Sequence, residues 1–268
     1  MMEQEQLRRL QLRELSALKA VGAVCKQIGV DYFLFGGSVI GAVRHKGFIP
    51  WDDDIDIAMY REDYDKFVAV AQELLGDAYY VETHHNNPEY FLCFTKIFIN
   101  GTVYSQPQFE GRNVHQGVYI DVFPIDGVPD SKFGRFVQKY QTMGAYCLLR
   151  GKPITQMGGV VNWLSKVFLK ITTRKFRYKL GCWLDRRAIR HNRANCNYVS
   201  NLYGMALYEK EMMPKEFIGT PVPWQFEDMT CKIPQLYHEY LTHIYGDYMQ
   251  LPPEEERVCK HQGLDCDF

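Results

Sequence analysis

The sequence predicts an α/β (α+β) protein, a mixed-sheet core followed by a mainly helical addition. Two observations carry this. Short apolar runs stopped by glycine or proline alternate with amphipathic helical segments up to about Phe123, as strands and helices do in a mixed sheet. From Asp130 to about Tyr208 the strand signals give way to helical ones, broken around Gly151-Lys-Pro153 and Gly158-Gly159. The division expected is residues 1–128 as the core with its N-terminal helix. Residues 129–268 form the mainly helical region, with a C-terminal tail that packs back on the core.

In chain order, Leu7, Leu10, Leu15, Leu18, Val21, Val24, Cys25 and Ile28 recur at helical intervals with charged residues between them, so the first element is an amphipathic helix ending near Gly29. Asp31 to Phe35 reads as a buried strand stopped by Gly36-Gly37, and Ser38 to Val43 starts a helix after the glycines. Gly47, Pro50 and Trp51 mark a loop. Asp54 to Met59 alternates acidic and apolar residues, as a strand with one polar face does. Arg61 to Leu75 is a helix, and Tyr79 to Thr83, Tyr90 to Asn100 and Gly117 to Phe123 are strands. Near the end, Val222-Pro-Trp224 is a strand or turn and Pro234 to Tyr245 a helix.

Composition excludes several classes. Hydrophobic residues make up 46% and charged residues 24%, which argues against dominant disorder, and a net charge of −1 argues against a nucleic-acid-coating protein. No run is apolar enough to span a bilayer, and the first residues are charged from Glu3 onward, unlike a signal peptide, so a cytoplasmic protein is expected. The eight cysteines are scattered without a C-x-x-C pair and are expected to be reduced. Cys259, His261 and Cys266 offer three zinc ligands where a structural site wants four, so an unligated tail is the preferred reading.

The densest chemistry lies between Phe35 and Met59. Gly36, Gly37 and Ser38 follow a strand and precede a helix, where glycines let a phosphate approach the backbone. Asp54 and Asp56, two apart on a strand, project from one face and suit a hard divalent cation, which would also relieve their repulsion. Asp121, in Val118-Tyr-Ile-Asp-Val-Phe123, is an acid within an apolar run and needs a partner. It is favoured over Asp126, read as a turn residue. A glycine-serine turn, a D-h-D strand (h being apolar) and a third acid on another strand together make the layout of a nucleotidyltransferase-like core.

The segment GGSVIGAVRHKGFIPWDDDIDIAM resembles the signature of the LicD family, which includes bacterial phosphocholine transferases and is related to fukutin-type proteins. The later HQGVYIDVFPIDGVPD, VPWQFED and YLTHIYGDYMQLPPEEERVCKH are similar to blocks of the same family. Residues 131–215 are less diagnostic. The resemblance implies transfer of a phospho-alcohol, phosphocholine first among them, from a CDP-activated alcohol donor to a cell-surface glycan or its lipid-linked precursor. Asp54, Asp56 and Asp121 would hold Mg2+, with Mn2+ as the alternative, and carry the catalysis. Gly36, Gly37 and Ser38 would contact donor phosphate. Arg44 and Lys46, with His45 between them, would meet leaving-group charge, Arg44 first because its fork matches phosphate. Trp51 would stack on a base or close the site, and Lys96 is a further phosphate ligand. His115, Arg257 and His261 match family blocks without an assigned chemistry.

From Lys166 to Arg193 ten basic residues stand against one acid, Asp185, with Trp163, Leu164, Val167, Phe168 and Ile171 interleaved at helical spacing. Such a segment either packs its apolar face on a core or lies on a polyanion. The expectation drawn is peripheral contact of residues 160–193 with an anionic membrane at the cytoplasmic face, and no nucleic-acid partner. Competing functional readings are a nucleotidyltransferase moving NMP from an NTP, a CDP-ribitol- or CDP-glycerol-dependent transferase, a sugar-nucleotide glycosyltransferase, and a binding protein that has kept the fold.

Overall fold

The computed structural model describes residues 4–153, 159–191, 193–204, 208–259 and 266–267. These form two compact units: Met1–Glu82 with Phe94–Ile125 and Lys215–Phe268, and Thr83–Cys93 with Asp126–Pro214. The fold is mixed α/β, as the alternation of strand and helix patterns predicts.

The first unit is built on a mixed sheet whose strands run β1 (Phe33–Leu34), β2 (Asp56–Tyr60), β6 (Tyr119–Val128), β4 (Thr95–Ile99), β3 (Tyr79–Glu82). Only β2 and β6 are parallel; the other neighbours are antiparallel. The pleat sorts residues onto two faces. One face carries Ile57, Met59, Ile97, Ile120 and Val122, all buried, with helix α3 (Arg61–Leu75) covering it. The Tyr64 hydroxyl of that helix meets the Thr95 hydroxyl at 2.6 Å. Glu62 and Asp63 in its first turn complement the helix dipole. The other face carries Asp56, Lys96 and Asp121 among Phe98, Tyr119 and Phe123. Helix α1 (Gln4–Ile28) packs Leu7 and Leu10 against Phe98 and Tyr119 at one end of this face. A short helix α2 (Gly36–Ile40) runs into a π-helical turn, Gly41–His45, closed by Lys46 in the left-handed conformation.

The C-terminal part of this unit contains the turn α8 (Lys215–Ile218), a hairpin of β9 (Val222–Phe226) and β10 (Met229–Ile233), and helix α9 (Tyr237–Tyr245). The hairpin tip is tied down by charge. Glu227 accepts two hydrogen bonds from Arg8 at 3.0 and 2.6 Å and one from the Phe48 N–H at 3.2 Å. A two-residue strand β11 (Cys266–Asp267) pairs with β5 (Val103–Tyr104).

The second unit is mainly helical. Helix α4 (Lys132–Arg150) begins at Ser131, whose hydroxyl accepts from the Gly134 N–H, and ends at Gly151 in the left-handed conformation. Helix α6 (Arg174–Ala188), capped by Thr173, packs along α4. Gln138 of α4 donates to the carbonyls of Gly127 and Ala188. Helix α5 (Gly159–Ile171) buries none of its residues. The turn α7 (Tyr208–Glu211) and strands β7 (Tyr198–Ser200) and β8 (Met213–Pro214) complete the unit, β7 pairing with residues 126–128 of β6.

Three sequence expectations are corrected. Asp126 is no turn residue: β6 continues through it, and it is fully buried opposite Ser200. Pro124 stands beside Met59 in the β2 ladder, but its nitrogen faces the other edge of the strand, where β4 pairing has ended at Val122 and β7 pairing has not begun, so the missing N–H costs no ladder bond. The strand expected from Tyr90 begins only at Thr95, because Tyr90, Phe91, Leu92 and Cys93 are buried by packing without a strand partner. The helical run expected to Tyr208 is interrupted by β7, a three-residue strand whose ladder is made with a distant segment.

Candidate active site

Strand register brings the acids together. Asp56 of β2 stands beside Asp121 of β6, and Asp121 stands beside Lys96 of β4. These three project from adjacent strands on one face. Lys96 is nearly fully buried and donates to both carboxylate oxygens of Asp121, at 2.6 and 2.9 Å, with its ammonium 3.4 Å from the centre of the Tyr119 ring. Lys96, read from sequence as a phosphate ligand, therefore faces an acid. Asp54 precedes the strand rather than lying in it, since β2 starts at Asp56. The backbone of Asp56 is held twice: its N–H donates to the Ser38 hydroxyl at 2.9 Å, and its carbonyl accepts from Phe35 N–H at 2.9 Å.

The glycine turn lies directly against this cluster. Gly36 has φ +55°, and a Cβ there would stand 3.1 Å from Asp56 Oδ2 and 3.5 Å from the Tyr245 hydroxyl. A Cβ on Gly37 would stand 3.3 Å from Asp52 Oδ2. Glycine is thus needed at position 36 both for its backbone angle and for the closeness of a carboxylate. The Gly36 N–H donates to the Tyr240 hydroxyl of α9 at 3.0 Å. Ser38 accepts from the Asp56 N–H, so its first structural task is to fix that strand end.

A cationic group gathers around Trp51. Arg44 donates to the carbonyls of Tyr248 at 2.7 Å and Gln250 at 3.4 Å, and through Nε to His45 Nε2 at 2.9 Å. Arg257 lies 5.7 Å above the Trp51 ring and donates to the Pro252 carbonyl. Burial and then the nearby Arg257 push the Arg44 guanidinium below its ordinary value; burial and then Arg44 do the same to His45, whose ring meets Trp51 edge-on. Among the described residues neither Arg44 nor Arg257 pairs with a carboxylate, so the two guanidinium groups form a site suited to an anion. Lys46 is exposed at the end of the same turn.

Several residues at the site carried no sequence signal. Glu14 of α1 is buried, its Oε2 has no hydrogen-bond partner, and its carboxyl is pushed well up by burial and then by Asp54, Asp53, Asp52 and Asp121. It sits in an ordinary amphipathic pattern, and only the packing of α1 on the acidic face reveals it. Asp53 is fully buried and accepts from the Tyr104 hydroxyl at 2.6 Å. Gln11 donates to the carbonyls of Ile49 and Asp52, holding the acidic loop. His115 stacks on Tyr80 while its backbone N–H donates to Glu82 Oε2 at 3.1 Å, and burial lowers its pKa. His261 and the side chain of Cys266 lie outside the described residues, so the Cys259, His261 and Cys266 grouping does too. Among the described residues no cysteine forms a disulfide.

The donor set fits a hard divalent cation. Burial pushes the Asp56 carboxyl well up, Asp54, Asp121 and Asp52 push it further, and only Lys96 opposes them. An orphaned Glu14 oxygen beside the same acids adds to a local excess of negative charge that a bound cation would relieve. Among the described residues no helix is long and apolar enough to cross a membrane.

Comparison with known proteins agrees with this geometry. Residues 29–145 match the family model described as LicD/FKTN/FKRP, nucleotidyltransferase domain. The chain is 33% identical to the lipopolysaccharide cholinephosphotransferase LicD of Haemophilus influenzae over 269 aligned positions, covering 95% of this chain and 96% of that protein. Over 52 residues, 19% of this chain and 10% of the relatives, it is 48% identical to the ribitol 5-phosphate transferase FKRP of Mus musculus and of Homo sapiens.

Proposed function

From the premise that this chain belongs to the LicD family of phospho-alcohol transferases, we propose that it moves phosphocholine from CDP-choline to a hydroxyl of a cell-surface glycan or its lipid-linked precursor. The observation that carries the reading is the near full-length similarity to a lipopolysaccharide cholinephosphotransferase. The pairing of Asp56 with Asp121 beside the glycine turn supports it.

In this reading Asp54, Asp56 and Asp121 hold Mg2+ or Mn2+, which when bound neutralises phosphate charge. Lys96 fixes the orientation of Asp121, which accepts the proton of the attacking acceptor hydroxyl. The acceptor oxygen forms a bond to the phosphorus bearing choline as the bond to the CMP oxygen breaks, and CMP leaves with the negative charge. Arg44, Arg257 and Lys46 meet that charge, and Trp51 offers a face to the cytosine. Gly36 and Gly37 allow donor phosphate to approach the backbone. Positioning and charge neutralisation supply the rate, with no covalent intermediate on the chain.

The same reading includes a peripheral membrane contact at the cytoplasmic face. Its support is α5, where Val160 is 72%, Trp163 62% and Ile171 75% exposed, so the apolar side of the basic segment is presented outward within its unit. A second donor, CDP-ribitol, is favoured by the similarity to a ribitol 5-phosphate transferase.

The deciding experiment incubates the protein with Mg2+ and CDP-choline, CDP-ribitol, CDP-glycerol, a nucleoside triphosphate or a UDP-sugar, together with glycan acceptor. CMP release with CDP-choline is expected. Turnover with CDP-ribitol alone moves the assignment to ribitol. Pyrophosphate or UDP release replaces it with the nucleotidyltransferase or the glycosyltransferase, and no turnover with any donor leaves a binding protein.

A further inference from the structure

The mainly helical unit contains a second cluster of ligating side chains that phosphoryl transfer does not use. His84, Cys93 and Asp185, all buried, bring one ligand atom each to within 4.8 Å of one another, and His84, His85 and Cys182 do the same. His84 is common to both groups. Cys182 and Asp185 are one turn apart on α6 and so share a face. His84, His85 and Cys93 come from the segment that precedes β4.

His84 Nε2 is buried without a hydrogen-bond partner. It approaches Asp185 Oδ2 at 3.3 Å but lacks hydrogen-bond geometry. The rest of the cluster is held in place around it. The Tyr203 hydroxyl donates to Asp185 Oδ1 at 2.6 Å, leaving Oδ2 toward the histidine, and the Tyr178 hydroxyl donates to the His84 carbonyl at 2.9 Å. A buried imidazole nitrogen aimed at a carboxylate oxygen, with two thiols alongside, is the arrangement that a metal ion completes.

We infer that His84, Cys93, Asp185 and Cys182 form a structural zinc site that clips the 83–93 segment to α6. The imidazole nitrogen and the two thiolates are borderline and soft donors and outnumber the one hard carboxylate, which favours Zn2+ over the Mg2+ suited to an all-carboxylate site. Ligand atoms on a tetrahedral zinc stand about 3.3–3.8 Å apart, so the His84, Cys93 and Asp185 atoms need to contract by at most about 1.5 Å, and Cys182, within 4.8 Å of His84, closes on them as the fourth ligand. Tyr203 acts as the outer partner that orients the Asp185 carboxylate. His85, exposed beside His84 with ring centres 3.9 Å apart, stays outside the ligand set.

The test uses the full chain without a polyhistidine tag, purified from zinc-supplemented medium and desalted. Metal content is measured by inductively coupled plasma mass spectrometry, and the cobalt-substituted protein by absorption. Expected are about one zinc per chain and a thiolate-to-cobalt charge-transfer band. Cys259→Ser should keep the zinc, whereas His84→Ala and the Cys93→Ser/Cys182→Ser double variant should lose at least about tenfold in occupancy. Zinc retained in His84→Ala, or lost in Cys259→Ser, overturns the site. So does a wild-type chain with no zinc after saturation. If the variants do not fold, the wild-type cobalt spectrum decides alone, and absence of the thiolate band overturns it.

Discussion

Replacing Gly36 by alanine separates what the glycine turn does for folding from what it does for chemistry. An L-residue at φ +55° costs about 1–2 kcal/mol, partly offset by about 0.4–1 kcal/mol from the stiffer unfolded chain. The new Cβ, 3.1 Å from Asp56 Oδ2, also requires that carboxylate to yield by a few tenths of an ångström. The backbone of Asp56 cannot follow, because Ser38 and Phe35 both hold it, so the side chain must rotate. Gly151→Ala is the control. Its φ is +69° and nothing lies within 4 Å, so it bears the backbone cost alone. Both variants should melt a few degrees lower, about 2–4 °C per kcal/mol for a chain of this size. Turnover should diverge. Displacing a ligand carboxylate by a fraction of an ångström should slow CMP release from CDP-choline by about 10- to 100-fold in Gly36→Ala, against about twofold or less in Gly151→Ala. Melting temperatures by circular dichroism and initial rates under saturating Mg2+ provide the comparison. Equal turnover in the two variants refutes the argument that Gly36 is small because a working carboxylate lies against it.

Asp56→Asn should lower turnover at least about 10²-fold while leaving the metal-free protein as stable or more so, since it removes a buried charge that three acids oppose; paired rate and melting measurements check this. Lys96→Met should cost about 3–5 kcal/mol by urea unfolding, because it strands the Asp121 charge, and adding Asp121→Asn should recover a large part. Arg8 first, and then the Phe48 N–H, hold the Glu227 carboxyl below its ordinary value, so the unfolded chain takes up a proton before the folded one as pH falls. That stabilisation is present at neutral pH and is lost progressively below about pH 4.5. Glu227→Gln should remove about 1 kcal/mol or less of acid-sensitive stability, since Arg8 is 45% exposed. Vesicles containing anionic lipid should sediment the wild-type chain at low salt, and a Trp163→Ser/Leu164→Ser variant less; absence of wild-type binding removes the membrane contact.

The parts of the fold written in local pattern were legible. Helix α3 occupies Arg61–Leu75, the bounds its periodicity gives, and α1 stops one residue short of Gly29. What local pattern does not contain is pairing. Nothing in Val118 to Phe123 says that β6 lies parallel to β2, and so nothing there sets Asp121 beside Asp56. Strand β7 was invisible for the same reason, since three residues gain their ladders from the two-residue β8 on one side and from a segment about 70 positions away on the other. Glu14 illustrates the limit at the site. On a helical wheel it is one more polar residue of a charged N-terminal helix, yet α1 carries it into the acidic face, where its cost is set first by burial and then by four aspartates distant in sequence. Arg257 was recognisable as part of a block, but its place beside Arg44 and Trp51 comes from the carbonyls of the final loop that both arginines grip.

The Gly36 amide rests on Tyr240, some two hundred positions downstream, and the Arg44 fork closes on the peptide oxygens of Tyr248 and Gln250. The stretch that gives the family its recognisable signature is therefore not a detachable cassette. A fragment cut at residues 29 and 145 would carry every aspartate of the cluster, yet it would lack the hydroxyl under the turn, the amide of Gln11 that pins the acidic loop, and the collar around the guanidinium. Transplanting the signature into another scaffold would move the letters without their mooring, and working chimeras should join the chain outside α1 and α9.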